Sequence, residues 1–528
     1  MEWSYSKNLH RRKTIEEVAG KFIQSLCRLI EPEMLDQAAD ALIPEEFFLE
    51  GVSDSQLKGL IVSPRDLDDI YPLSPMQQGI LFHTLCAPEA RLYFEQLSFV
   101  IRGALNVDAF RNAWHEVAER HAALRTCFRW EGLDEPIQIV WRRARIPFEF
   151  HDWTHQKQDQ QGQEWQTYLE RDRQMGFRLN EEPLTRLALF QLTDNSYRLL
   201  WSHHHIILDG WSVSLVLKEV FECYKSLSVG VAPYLSPPGR YRDFIHWLKH
   251  QNLAEAERFW RRQLAGFQAA TPIGISSDID KQLPVREDYG EEKIGLSAST
   301  TAALENMART SQLTLNTILQ AAYSILLSRY TGQLDVAFGM VVSGRPASLP
   351  KIESSVGLFV NTLAFRVRLS PDEPFEKWMK SLQAQQMEIT QYQYTPLAQV
   401  QQWCEASHRS PLFGTIFAFE NYPIYGPSSD APSRIEISKI HAIDPPQYAL
   451  TLFAIPGEEV KFRALYDRRL FDAATVHGML EHLRMILEGM AAQSGWQLLD
   501  LPLTASKADK FDSGPSVTPS FADEFLFD

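Results

Sequence analysis

The chain has no CxxC pair, no excess of basic residues and no long apolar run, and each absence removes a class of function. Its five cysteines, Cys27, Cys86, Cys127, Cys223 and Cys404, are odd in number and widely scattered. That pattern supports neither a disulfide framework nor a thiolate zinc site, so separate buried or half-buried thiols are expected. Lys and Arg number 52 against 67 Asp and Glu, a net charge of −15, which leaves nothing to neutralise a phosphate backbone. Nucleic acid is not an expected partner. Apolar runs such as FGTIFAF at 413–419 fall far short of the roughly 20 residues that a membrane helix needs, and the N-terminus lacks the apolar segment of a signal peptide. The expectation is a cytoplasmic protein with no membrane partner. What the chain does have is length, 528 residues of which 45% are hydrophobic, enough to bury two or three cores.

Periodicity divides the chain into four stretches. In TIEEVAGKFIQSLCRLI (14–30), Ile15, Val18, Phe22, Leu26 and Ile30 fall at helical spacing, with Thr14 and Glu17 placed as a capping box. The periodicity is then lost, so residues 1–66 are expected to be an N-terminal helix and a surface linker. Residues 67–245 alternate helix and strand: a helix in DIYPLSPMQQGILFHTL, the strand FEQLSFVIRG, the helix DAFRNAWHEVAERH, and strands in LRTCFRW and YRLLWSHHHII. The pattern restarts over 246–500 with helices at 298–310, 315–331 and 374–389 and strands DVAFGMVVSG and TLAFRVRL. The fold class is therefore α/β with two lobes alike in shape, since no short repeat links them in sequence. Residues 501–528 are rich in Ser, Pro and acidic residues and are expected to form a flexible tail. The closing PSFADEFLFD is either a linker remnant or a docking peptide.

Within WSHHHIILDGWS (201–212), three consecutive histidines end a strand and Asp209-Gly210 turns the chain into an apolar-periodic helix. Alternate residues of a strand share a face, so Leu199, Trp201, His203 and His205 point one way and Leu200, Ser202, His204 and Ile206 the other. Only His203 and His205 could then share a metal, and no nearby carboxylate in the sequence completes a site. No metal is expected. A strand end followed by a loop and helix is instead where a reactive side chain sits on a rigid base.

HHIILDG (204–210) matches the signature H-H-x-x-x-D-G, and further blocks follow the same family's order: LSPMQQGILFHTL, RHAALRTCF, YRDFIHW, VSGRP, VGLFVNTLAFR, YTPLAQVQ and SPLFGTIFAFEN. On these residues the chain resembles the condensation domains of non-ribosomal peptide synthetases. The resemblance implies two chloramphenicol-acetyltransferase-like lobes in a V-shaped pseudo-dimer, with an active-site tunnel between them. It implies amide formation between a donor aminoacyl or peptidyl thioester and an acceptor amine. It makes His205 the catalytic residue, as general base or positioning group, and His204 structural. Asp209 becomes a scaffold residue expected to pair with Arg125, and Gly210 keeps the thioester path clear. Trp211, Ser343 and Asn361 are expected to line the tunnel.

The wider match, including FWRRQLAGF and FAFENYP, looks most like the subtype that takes a donor ending in a D-residue. Residues 1–30 resemble the end of a preceding epimerisation or condensation domain. EEFFLEGVSDSQL resembles a carrier-protein attachment site but lacks its second glycine, so Ser53 is not expected to carry phosphopantetheine. With no adenylation-domain core in the chain, the implied partners are separate donor and acceptor carrier domains, whose phosphopantetheine brings the substrates, and other synthetase modules. No cofactor bound by the chain itself is implied. The other reading is a catalytically silent module that keeps this fold and recruits carrier or tailoring proteins.

Overall fold

Fourteen strands among the described residues form three sheets. They are β1 (Leu67–Pro72), β2 (Phe94–Arg102), β3 (Thr126–Arg129), β4 (Ile137–Trp141), β5 (Phe148–Asp152), β6 (Thr185–Thr193), β7 (Ser196–His204), β8 (Tyr289–Gly295), β9 (Asp335–Val342), β10 (Asn361–Arg368), β11 (Thr415–Phe419), β12 (Glu436–Ile443), β13 (Leu450–Ile455) and β14 (Lys461–Asp467). The computed structural model describes residues 66–181, 183–267, 289–370, 372–404, 412–421, 435–443 and 448–492, with single helical positions at 14, 18 and 21. Ser53, the acidic tail and nearly all of the N-terminal helix and linker lie outside the described residues.

The first large sheet has the order β12-β2-β7-β6-β5, antiparallel except for the parallel pair β5–β6. Alternation along β7 covers its two faces differently. Leu199 and Trp201 join the core that contains Phe110, Trp114, Val216 and Val220, from the helices Val107–Arg120 and Gly210–Leu227. Trp114 meets Trp201 edge-on at 4.9 Å between ring centres. On the other face Leu200 packs with Trp165 and Leu169 of the helix Gln158–Met175. There Ser202 Oγ donates to Asp172 at 2.6 Å and Gln96 Nε2 donates to the same oxygen at 2.7 Å, which ties that helix to the sheet.

The second large sheet runs β10-β9-β11-β13-β14-β8. Its central helix, Leu315–Thr331, is buried at every position from Thr317 to Ser328, as expected of a helix apolar on all sides. Helices expected at 298–310, 315–331 and 374–389 are observed at Ala298–Ser311, Leu315–Thr331 and Phe375–Gln391. The small sheet β1-β4-β3 contains the stretch read as part of a first helix. Ser74 and Gln77 form a reciprocal capping box with Pro75 opening the helix Pro75–Cys86, and this start leaves Leu67–Pro72 free to be a strand.

Chain order and sheet membership do not coincide. β12 pairs antiparallel with β2, Glu436 opposite Arg102 and Ile437 opposite Ile101. Val356, Leu358 and Ile435 likewise sit in the core of the first sheet. The helix Tyr241–Lys249 packs its Tyr241, Phe244 and Ile245 among Tyr71, Val140, Ile352 and Phe359, from both halves of the chain.

Candidate active site

Register brings a carboxylate to the histidines. β2 pairs with β7 so that Glu95 lies opposite His203, and Glu95 Oε2 sits 2.7 Å from His203 Nε2. β7 ends at His204, and His205–Ile207 form a single 3-10 turn. That turn swings the His205 ring back to the same carboxylate: Nδ1 is 3.3 Å from Glu95 Oε1 and 2.7 Å from the Leu208 carbonyl oxygen. A nitrogen facing two acceptors carries the ring hydrogen in the neutral form, which makes Nε2 the basic nitrogen. The His205 side chain is 26% exposed and His203 only 2%. Burial disfavours the charge on Glu95, but His205, the hydrogen bond from His203 and the charge of His203 outweigh it and hold the carboxyl below its usual range.

The expectation that no carboxylate reaches these histidines is thus corrected. Glu95 was hidden because only strand pairing, not sequence distance, places it there. Among the described residues no group of three His, Cys, Asp or Glu could hold a metal.

His204 occupies the opposite side of the strand and is buried. Its Nδ1 accepts the Ile206 N–H at 3.2 Å, capping the turn that carries His205. Burial pushes its pKa down to about 3, so the ring is neutral. Tyr93, just before β2, adopts φ 65° while buried, a conformation that costs about 1–3 kcal/mol in a non-glycine residue. Its carbonyl accepts the His205 N–H at 2.8 Å and its hydroxyl lies 2.7 Å from His83 Nδ1. These two contacts hold the strained residue and, through it, the backbone of the turn.

Asp209 caps the helix Gly210–Leu227, Oδ1 accepting the Ser212 N–H at 2.8 Å. Its pairing partner is Arg345, not Arg125: Arg345 Nη2 donates to Oδ1 at 3.0 Å and to Oδ2 at 3.3 Å. The Phe359 N–H donates to Oδ2 at 3.0 Å, and Arg345 also reaches Ser212 Oγ at 2.9 Å and the carbonyls of Ile352 and Ser355. Both side chains of the pair are 5% exposed. The guanidinium lies over the Phe359 ring at 3.9 Å. Gly344 at φ 64° makes this approach possible, because a Cβ there would run into the Phe359 carbonyl. Arg125 is committed elsewhere, to Asp68 Oδ2 at 3.1 Å and to the Ala118 and Trp141 carbonyls. Both arginines stand in family blocks, and sequence alone could not say which one the fold brings to Asp209.

Trp211, Asn361 and Ser343, expected to line a tunnel, make contacts of their own. Trp211 Nε1 donates to the Glu353 carbonyl at 3.1 Å, so it braces the two halves. Asn361 spends its amide on the Gln393 and Thr395 carbonyls at 2.8 and 2.9 Å, which anchors a loop. Ser343 is exposed, its Oγ at 3.5 Å from the Arg345 N–H. Gly210 is the first residue of the helix after Asp209. Two glutamines passed over in the sequence prove to matter. Gln77 and Gln138 exchange amide hydrogen bonds at 3.2 and 3.0 Å, and Gln77 Nε2 donates to the Ile206 carbonyl at 3.1 Å. They lock the 3-10 turn to the helix Pro75–Cys86, and the S-P-x-Q spacing was the available signal.

A part-exposed imidazole with an oriented ring, set on a strand end and braced from both halves of the chain, is a site able to accept and return a proton. A family model described as Condensation domain matches residues 67–510. A linear gramicidin synthase of Brevibacillus parabrevis is 38% identical over 505 residues, 96% of this chain and 6% of that protein. Bacitracin synthase 3 of Bacillus licheniformis is 30% identical over 507 residues, 95% of this chain and 8% of that protein. The chain therefore spans under a tenth of these relatives. Among solved structures, the starter condensation domain of rhizomide synthetase superposes with a TM-score of 0.70 at 20% identity, over 82% of this chain and 97% of that one. The X-domain from teicoplanin biosynthesis gives 0.68 at 21% identity over 82% and 97%. The chain belongs to the Condensation domain family.

Proposed function

We propose that this chain joins a donor thioester ending in a D-residue to the amine of an acceptor, each carried on the phosphopantetheine of a separate carrier domain in the cytoplasm. The supporting observation is the His205 ring, whose Nδ1 is engaged by Leu208 and Glu95 so that Nε2 is the basic nitrogen. In the proposed step the acceptor amine attacks the thioester carbonyl, the C–N bond forms and the C–S bond breaks with its electron pair going to sulfur. Nε2 takes the proton that the amine sheds and returns it to the departing thiolate, so no other reactant is needed. Gly210 leaves the approach to His205 unobstructed, and tethering of both substrates supplies high effective concentration. The D-donor preference rests on the resemblance of the signature blocks.

The test supplies carriers loaded with D-phenylalanyl or L-phenylalanyl donors and an L-leucyl acceptor, with product read by mass spectrometry. Dipeptidyl product, formed faster from the D-donor and lost in His205→Ala, is expected. Faster product from the L-donor would overturn the subtype alone. Binding of loaded carriers with no product from either donor would favour the silent recruiting module.

A further inference from the structure

We propose that Glu95 is a positioning residue for the reaction, a counter-ion that orients His205 and balances the charge its ring acquires on taking the proton, and that His203 serves to clamp Glu95 in that place. The inference rests on the reading of His205 given above.

The geometry assigns each oxygen of Glu95 to a different ring. Oε2 lies 2.7 Å from His203 Nε2 and Oε1 lies 3.3 Å from His205 Nδ1. Glu95 sits on a strand of the sheet and faces His203 across the β2–β7 ladder, so neither partner depends on a loop for its position. A glutamate side chain left alone samples several rotamers; one oxygen held by the almost fully buried His203 fixes the other against His205. The three consecutive histidines thereby acquire three separate tasks. His203 holds the carboxylate, His204 caps the turn, and His205 faces the reacting groups.

Leu208 alone would suffice to orient the ring, since its carbonyl already accepts from Nδ1 at 2.7 Å. A carbonyl, however, offers only a dipole to an imidazolium, whereas a carboxylate in a part-buried site offers a full opposite charge. At such separations an opposite charge shifts a titration by about 1–3 units, and proton transfer through a well-poised base contributes 10²–10⁴-fold or so in rate. Glu95 senses the charge of all three histidines, and His204 is kept neutral chiefly by burial. The titratable group in contact with His205 is Glu95 on β2, with His203 bound to the same carboxylate and His204 on the opposite side of β7.

The experiment compares wild type, Glu95→Gln, which keeps the shape and removes the charge, and Glu95→Asp, which retains the charge one methylene away. Histidine-labelled protein is titrated by NMR with the His205 signal assigned from His205→Gln, and steady-state amide formation is followed with the phenylalanyl and leucyl carriers. For Glu95→Gln the His205 midpoint is expected to fall by about 1–3 units, with kcat reduced about tenfold or more and KM unchanged. Glu95→Asp is expected to recover part of both, and it carries the comparison if the Gln variant fails to fold. A midpoint unchanged within a few tenths of a unit, or a kcat that survives the loss of charge, overturns the proposal. Should His205→Ala retain full activity, the function proposed above fails, while the titration still reports whether Glu95 acts on His205.

Discussion

Two polar clusters lie within a few residues of each other and are built on opposite terms. The Asp209–Arg345 cluster is closed around its carboxylate: both oxygens accept from two donors each, Ser212, Phe359 and Arg345 sharing them, and nearly all of it is buried, although Arg345 Nε has no hydrogen-bond partner among the described residues. The Glu95–His203–His205 cluster is open: the His205 side chain is 26% exposed. A buried carboxylate whose oxygens are all engaged fixes one arrangement of the chain, whereas a part-exposed imidazole retains capacity to bind or move a proton. The first joins the halves, and the second is where we propose that the chemistry takes place.

The sharpest way to break this comparison is to open the closed cluster. Asp209→Ala and Arg345→Ala should each cost about 3–5 kcal/mol in urea unfolding, since each strands a buried charge. The double variant should lose clearly less than the sum, and additivity would mean that the pair is not coupled. At the open cluster the expectation inverts. His205→Ala should reduce amide formation about 100-fold or more yet change unfolding by under about 1 kcal/mol, as a part-exposed residue adds little to a core.

His204 gives a smaller, pH-dependent effect. Its folded-state pKa of about 3 lies below the ordinary histidine value of 6.5, so below pH 6.5 the unfolded chain binds a proton that the folded chain refuses. Its contribution to stability is complete above 6.5 and is lost as pH falls towards 3, at up to about 1.4 kcal/mol per pH unit. Unfolding measured from pH 7 to 5 should therefore be less pH-dependent in His204→Gln, which is also less stable at pH 7. Smallest of all is Asp68→Ala. Asp68 is 47% exposed, and its pairing with Arg125 should count for under about 1 kcal/mol. A cycle between Arg125 and Asp209 should be additive within about 0.5 kcal/mol.

The difference between the clusters also marks where sequence reasoning stops. Period-two alternation located β7 and separated His204 from its neighbours, and helical periodicity placed Leu315–Thr331 and Ala298–Ser311, because those signals are local. Glu95 and Arg345 were missed because their partners are set by strand register and by the packing of the halves, which no local pattern records. The tunnel role expected of Asn361 and Trp211 rests on their place in the family blocks, whereas the carbonyls their side chains reach are set by the fold.

The pairing of β12 with β2 bears on how this protein comes off the ribosome. Arg102 meets its partner Glu436 more than three hundred residues later, and at about 5–20 residues per second that wait is roughly 20–70 s. Throughout it, the β2 edge that β12 will cover stands as an open template for another nascent chain on the same message. Residues 67–245 produced alone would keep that edge open permanently, so a split of the chain at its apparent midpoint should yield a fragment that self-associates, and adding 435–443 as a free strand peptide is the simplest cure.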